Sequence, residues 1–313
     1  MVFAYFLQIS NHMWQDSYSV HTPWSYQDPW SPTNDIDESV FDRVVDFIAE
    51  RKYNMLVIDV GDGVLLESHP EIAAPDAWSA AYLRQKLDII RSKGIEPIPK
   101  LNFSCAHNTW QKDWRYRTGL PEHVAFCRDV IREVCEIFGG PRFFHLGLDE
   151  ETYDNQKNRG VAIVRNESVF WRDAYELFDE CEKNGARAWV FSDYYWRHPD
   201  VFAKMMPKSV VQSNWYYGQF DTRPDFASAY RIVTYDRLEE LGYEQIPVTS
   251  GFSKAASPLQ CVEYCRRVIS PEHLLGFLDI PWHNTTEENY YTLIYDADRL
   301  WQARLKYFED TLK

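Results

Sequence analysis

The sequence predicts an α/β fold, a single (β/α)8 barrel domain spanning residues 1–313, on three observations. Short apolar runs alternate with amphipathic helical stretches from one end of the chain to the other; the alternation occurs eight times; and no Ser/Gly linker, low-complexity segment or break in composition divides it. An open doubly wound sheet is the competing architecture. It loses because no glycine-rich phosphate loop follows any of the runs.

The first strand is expected at Phe3–Ser10, followed by a long loop, Asn11–Asn34, and by a helix with an acidic start at Glu38–Arg51. Met55–Val60 comes next, then a second long loop, Gly61–Trp78, and the helix Ala80–Ser92, which stops at Lys93-Gly94. Glu96–Phe103 is paired with the helix His123–Phe138, and Phe143–Asp149 with Glu167–Lys183. Ala188–Asp193 leads to a short helix at Pro199–Met206, and Val210–Trp215 to Pro224–Leu241. Ile246–Gly251 with Pro258–Ile269 and Leu274–Ile280 with Glu287–Phe308 complete the series. The two long loops are rich in Trp, His and Asp and are expected to cap the carboxyl face.

A hydrophobic fraction of 45% is enough for a sizeable core, and twelve Trp with twenty Tyr is more than filling it demands, so some rings are expected to line a groove. The net charge of −14 and the absence of a basic stripe exclude a nucleic-acid partner and favour a neutral or cationic ligand. No stretch approaches eighteen apolar residues, so no membrane association is expected, and Met1–Ser10 lacks the basic flank and cleavage site of a signal peptide. The six cysteines contain no C-x-x-C pair, and most of them are expected as reduced, buried thiols.

In a barrel the strand ends face one cavity, so they can be read as candidate site residues. The run Phe143–Glu151 is the most informative: an apolar strand ending in His145, Gly147, Asp149, Glu150 and Glu151, where simple alternation would put His145, Gly147 and Asp149 on one face. Gln8, Asn11, His12 and Trp14 end the first strand, Asp59 and Asp62 the second, and Lys100, Asn102 and His107 the third. Trp189, Asp193, Trp215, Tyr216, Tyr217, Asp279, Trp282, His283 and Asn284 come from the later ones. Carboxylates, amides and Trp at one mouth suit a carbohydrate: hydrogen bonds for hydroxyls, flat faces for pyranose rings and carboxyls for acid chemistry. Asp59 and Lys100 can equally form a buried ion pair, and His145 can serve to orient Asp149.

His145-Leu146-Gly147-Leu148-Asp149-Glu150 resembles the His/Asn-x-Gly-x-Asp-Glu signature of glycoside hydrolase family 20, the β-N-acetylhexosaminidases. Arg51–Leu56 and Lys93–Pro99, leading to His107, are also similar to barrel segments of that family. The resemblance implies an exo-acting glycosidase that uses substrate-assisted retaining catalysis. Glu150 would be the general acid/base, and Asp149 would hold the 2-acetamido group as it attacks the anomeric carbon. Trp189, Trp215, Tyr216 and Trp282 would wall the sugar pocket, with Asn11, Asp59, His107, His145 and Asp193 as further substrate-binding candidates. The chain departs from the family where an Arg usually ends the first strand and where a Tyr usually follows the seventh, since Asn11-His12 and Ser250–Ser253 stand there. Within these 313 residues no counterpart is expected of the smaller α/β domain that often precedes such barrels.

The expected partner is therefore a carbohydrate substrate, an oligosaccharide or glycoconjugate, with no cofactor and no metal; sugar, linkage, compartment and oligomeric state stay open. A glycosidase with two protein carboxylates is the alternative enzyme, pairing Glu150 with Asp193, Asp59 or Asp279 and acting on sugars without an acetamido group. A metal-dependent hydrolase or isomerase built on His107, His145, Asp149 and His283 ranks lower, because no H-x-H or H-E-x-x-H spacing accompanies them. A carbohydrate-binding barrel without catalysis is the non-enzymatic reading.

Overall fold

The computed structural model describes residues 1–14, 31–157 and 159–312. Eight parallel strands, β1 (Val2–Gln8), β2 (Met55–Asp59), β3 (Glu96–Lys100), β4 (Phe143–His145), β5 (Arg187–Phe191), β6 (Val211–Ser213), β7 (Val248–Thr249) and β8 (Gly276–Asp279), form one sheet. Their order is β6-β5-β4-β3-β2-β1-β8-β7, and parallel bridges from Gln212 to Gln245 and from Trp215 to Val248 join the two edges. This is the (β/α)8 barrel that the alternation predicts. The expected helices also form: Glu38–Glu50 begins at Asp37, whose carboxylate accepts the Ser39 and Val40 N–H groups, and Ala80–Ser92 begins at Ser79, which accepts that of Tyr82.

Strand parity sorts the side chains into two cores. Phe3, Tyr5, Leu7, Leu56 and Ile58 point outward and pack under the helices. Ala4, Phe6, Met55, Val57, Ile98, Phe143, Trp189, Phe191, Val211 and Leu278 fill the barrel. The same parity carries Gln8, Asp59, Lys100, His145 and Ser213 inward at the carboxyl ends, where they make a polar layer above the apolar one.

Two prolines shape the third strand. Glu96 and Lys100 turn their hydrogen-bonding edge toward β2, through Glu96 N–H to the Asn54 carbonyl (3.0 Å) and Val60 N–H to the Lys100 carbonyl (3.1 Å). Pro97 and Pro99 therefore face β4 without a donor. Pairing of β3 with β4 narrows to one registered pair, Lys100 with His145, and continues through Leu101 N–H to the His145 carbonyl and Phe103 N–H to the Leu146 carbonyl, each 3.0 Å.

The fourth strand ends at His145, four residues before the expected Asp149. Gly147, Leu148 and Glu150 hold φ of 68°, 65° and 55°, so the chain leaves extended geometry and simple alternation does not place Asp149. Of the two long loops, Gly61–Trp78 holds a short parallel pair, Val64–Leu65 with Trp78–Ser79. The first is pinned at its ends by His12, hydrogen-bonded to Asp62 and to the Ser31 carbonyl (both 2.6 Å), while Trp24 and Trp30 lie outside the described residues. All six cysteines are buried and free, and no helix among the described residues is long and apolar enough to cross a membrane.

Candidate active site

The site is built upward from the polar layer of the barrel. Asp59 and Lys100, both buried, form an ion pair there; burial pushes the Asp59 carboxyl up while the Lys100 charge opposes it. His145 is wholly buried between Trp189 and Phe191, with ring centroids 4.8 and 4.5 Å away. Burial and the Lys100 charge hold its pKa well below the usual range, and its Nδ1 accepts the Gly147 N–H at 3.1 Å. A neutral imidazole thus fixes the first residue of the turn that follows β4.

That turn needs glycine. A Cβ at Gly147 would lie 2.2 Å from the Asn102 Oδ1, in a left-handed conformation that disfavours side chains. The same Oδ1 accepts the Leu148 N–H at 3.2 Å, and the Asn102 Nδ2 donates to Asp149 at 2.7 Å. Asn102 therefore both shapes the turn and aims the first carboxylate. Left-handed Leu148 and Glu150 cost on the order of 1–2 kcal/mol each, and such strain is concentrated where geometry serves chemistry.

Three consecutive acidic residues separate here. Asp149 is buried and receives Asn102 and His107, with the His107 Nδ1 at 3.2 Å. Burial alone would raise its carboxyl, but the His107 charge and hydrogen bond, with that of Asn102, hold it at about 2. Glu150 is partly exposed to the cavity; its N–H is held by Asp193 at 2.8 Å and its carboxylate stands 3.4 Å from the His107 Nε2. Glu151 turns away into an ion pair with buried Arg165.

His107 links the first two. Burial would lower it, but Asp149 and Glu150 outweigh burial and bring it to about 9, so at neutral pH both ring nitrogens carry protons directed at carboxylates. Burial and the Asp149 charge push Asp193 up to about 8. Among the described residues, His107, Asp149 and Glu150 bring donor atoms within 4.8 Å of one another, the convergence a cation site would need. His145 and His283 are not part of that cluster.

Above these groups lies a cavity of about 380 Å³. Trp14, Phe191, Trp215, Tyr216, Tyr217, Phe252 and Trp282 give it aromatic walls, and Asn11, His107, Asp149, Glu150, Arg231, Ser253 and Asn284 supply polar groups. Trp282, at φ 55°, sits 5.8 Å from the Trp14 ring and 5.7 Å from Phe6, and its indole N–H reaches the Tyr217 hydroxyl at 3.1 Å. Trp215 stacks on Tyr217 with centroids 5.4 Å apart.

Of the residues expected from the sequence, the cavity brings together Asn11, Trp14, His107, Asp149, Glu150, Trp215, Tyr216, Tyr217, Trp282 and Asn284. Asp59, His145, Trp189 and Asp193 do not line it. Trp189 is wholly buried one layer down, its indole N–H on the Ser213 hydroxyl at 2.7 Å, so it belongs to the barrel core rather than to a sugar-facing wall. Asp59 is taken up by Lys100, His145 supports the turn, and Asp193 holds the Glu150 backbone from behind. Sequence reasoning missed Phe191, Gly218, Arg231 and Ser253. Phe191 shares parity with Trp189 and was legible from alternation, whereas Arg231 lies in the helix Ala229–Glu240, far from any strand end.

No family model and no curated protein sequence matches the chain. Solved structures do match in fold. A chitobiase of Flavobacterium johnsoniae aligns at TM-score 0.63 and 15% identity, over 87% of this chain and 47% of its own, so this chain spans about half of that protein. The pneumococcal virulence factor StrH, studied for N-glycan recognition and hydrolysis, aligns at 0.62 and 15% identity over 97% of this chain and 84% of its own. An exo-β-N-acetylglucosaminidase of Vibrio harveyi in complex with N-acetylglucosamine aligns at 0.60 and 12% identity over 99% of this chain and 57% of its own. The chain thus folds as a divergent barrel of the kind found in glycoside hydrolase family 20.

Proposed function

We propose that the protein is a glycoside hydrolase acting on β-linked N-acetylhexosamines, with Glu150 as general acid/base and Asp149 as the group that orients the 2-acetamido substituent. The observation that carries this reading is the Asp149–His107–Glu150 arrangement opening into an aromatic cavity. An Asp held ionised at about 2 suits a residue that must accept the acetamido N–H and stabilise positive charge as the acetamido carbonyl attacks the anomeric carbon. Glu150 protonates the departing glycosidic oxygen and then takes a proton from the water that opens the cyclic intermediate. The substrate supplies the nucleophile, so no second protein carboxylate is needed on the opposite face. Tyr217 offers a phenol to the acetamido carbonyl, the group that Ser250–Ser253 lacks, and Trp215 and Trp282 offer ring faces to the sugar.

The test is hydrolysis of chromogenic glycosides with and without a 2-acetamido group, together with inhibition by a thiazoline that mimics the cyclised intermediate. The acetamido glycosides should be turned over and the thiazoline should inhibit. Glu150→Gln should lower kcat by about 10²–10⁴-fold while the sugar still binds. Turnover confined to sugars without the acetamido group would move the reaction to two protein carboxylates.

A further inference from the structure

We propose that the cavity selects glycans carrying a single anionic group and that Arg231 is the residue that reads it. The inference rests on the glycosidase reading above and names its substrate class more closely. Arg231 lies in the helix Ala229–Glu240 and lines the cavity. Its Nε–H donates to the Tyr230 hydroxyl at 3.0 Å, and its guanidinium lies 4.7 Å from the Trp196 ring and 5.7 Å from that of Trp215. Asn214 ties the assembly together: its Nδ2 donates to the Arg231 carbonyl (2.8 Å) and its Oδ1 accepts the Trp196 indole N–H (2.9 Å). The guanidinium is thus stacked and oriented, with no carboxylate paired to it among the described residues. Arg128, Arg165, Arg187 and Arg237 each have such a partner.

The two cations that line the cavity are held differently: His107 lies against Asp149 and Glu150, at 3.2 and 3.4 Å, whereas Arg231 has no carboxylate paired to it among the described residues. A half-buried guanidinium presents a planar fork that a carboxylate or sulfate satisfies through two parallel hydrogen bonds, which hydroxyls match less well. The chain's net charge of −14 limits the selection to sparsely charged sugars, because a polyanion would be repelled beyond the cavity while one substituent at contact would not.

The experiment measures equilibrium binding by calorimetry of N-acetylglucosamine, its 6-sulfate, and a disaccharide of N-acetylglucosamine linked to glucuronate, with turnover of an uncharged chromogenic N-acetylglucosaminide as a separate readout. The wild type should bind a charged probe on the order of tenfold more tightly than the uncharged one. Which of the two charged probes gains identifies sulfate or uronate as the source. Arg231→Gln should remove most of that ratio and Arg231→Lys, which keeps the charge without the fork, should keep part of it; the Lys variant also guards against a Gln variant that misfolds. A ratio near one in the wild type, or the same ratio in a folded Gln variant, overturns the proposal. Turnover with a ratio near one sinks the anion site alone, an Arg231-dependent ratio without turnover sinks the hydrolase reading alone, and no binding of any probe overturns both.

Discussion

At the scale of single residues, the proposed chemistry depends on how three adjacent carboxylates are given different surroundings. Glu151 is neutralised by Arg165, Asp149 is clamped by Asn102 and His107, and Glu150 is left facing the cavity. The His107–Asp149 pair sets a pH window. His107 is raised from 6.5, so its stabilisation is full below about 6.5 and is lost as pH rises through about 9. Asp149 is lowered from 3.8, so its contribution is present above that value and is lost as pH falls through about 2. The expected outcome is that kcat/KM on an acetamido glycoside falls as pH passes about 9 in the wild type. His107→Gln, which has no proton to lose there, should drop kcat/KM by roughly 10–100-fold and move the alkaline limb, which then reports only the proton that Glu150 donates. A pH profile of the variant with an unmoved limb would remove His107 from it. Asp149 and Glu150 were legible because polar residues closing an apolar run have few structural uses, and His107 because it stands in the segment that follows the third strand. Trp189 was not placed correctly because parity tells which way a ring points and says nothing of its depth along the barrel.

At the scale of elements, each expected strand–helix unit forms but several are shorter than expected, with Ile246–Gly251 narrowing to Val248–Thr249 and Pro224–Leu241 beginning only at Ala229, and the failure at β4 is informative. An apolar run extends to Leu148, yet the strand stops at His145, because the local geometry is set by Asn102, just past the end of the neighbouring strand β3, rather than by local propensity. The glycine in the run was the available signal: in a strand it marks a close backbone approach. Gly147→Ala forces either a left-handed alanine or a displaced Asn102, and Asn102 holds Asp149. We expect a loss of about 2–4 kcal/mol in urea unfolding, from strain and lost hydrogen bonds together, and a fall in kcat larger than the change in KM. Unfolding and kinetics indistinguishable from wild type would mean that the turn adapts and that Asn102 is not its template. The prolines of β3 explain a second local feature, since their missing donors face β4 and move the β3–β4 pairing toward the active-site end.

At the scale of the whole molecule, the barrel interior changes character with height, from Ala4, Met55 and Phe143 to the layer of Asp59, Lys100 and His145 beneath the cavity. The sequence left Asp59 and Lys100 open between ligand contact and ion pair, because strand register decides it: Asp59 and Lys100 are direct partners across β2 and β3. Such a pair is weak evidence of net stability, since desolvating both charges offsets most of their attraction, but removing one partner strands the other. Lys100→Met should therefore destabilise by about 3–5 kcal/mol in denaturant unfolding. The double variant Lys100→Met with Asp59→Leu should recover most of that loss, because an apolar layer of similar volume needs no desolvation. The site adds a second readout. Lys100 is one of the charges that lower Asp149 and His145, so the double variant, although stable, should shift the acid limb of kcat/KM upward. A stable double variant with an unmoved limb would confine the ion pair to packing; a moved limb would make the layer beneath the cavity part of what holds Asp149 ionised.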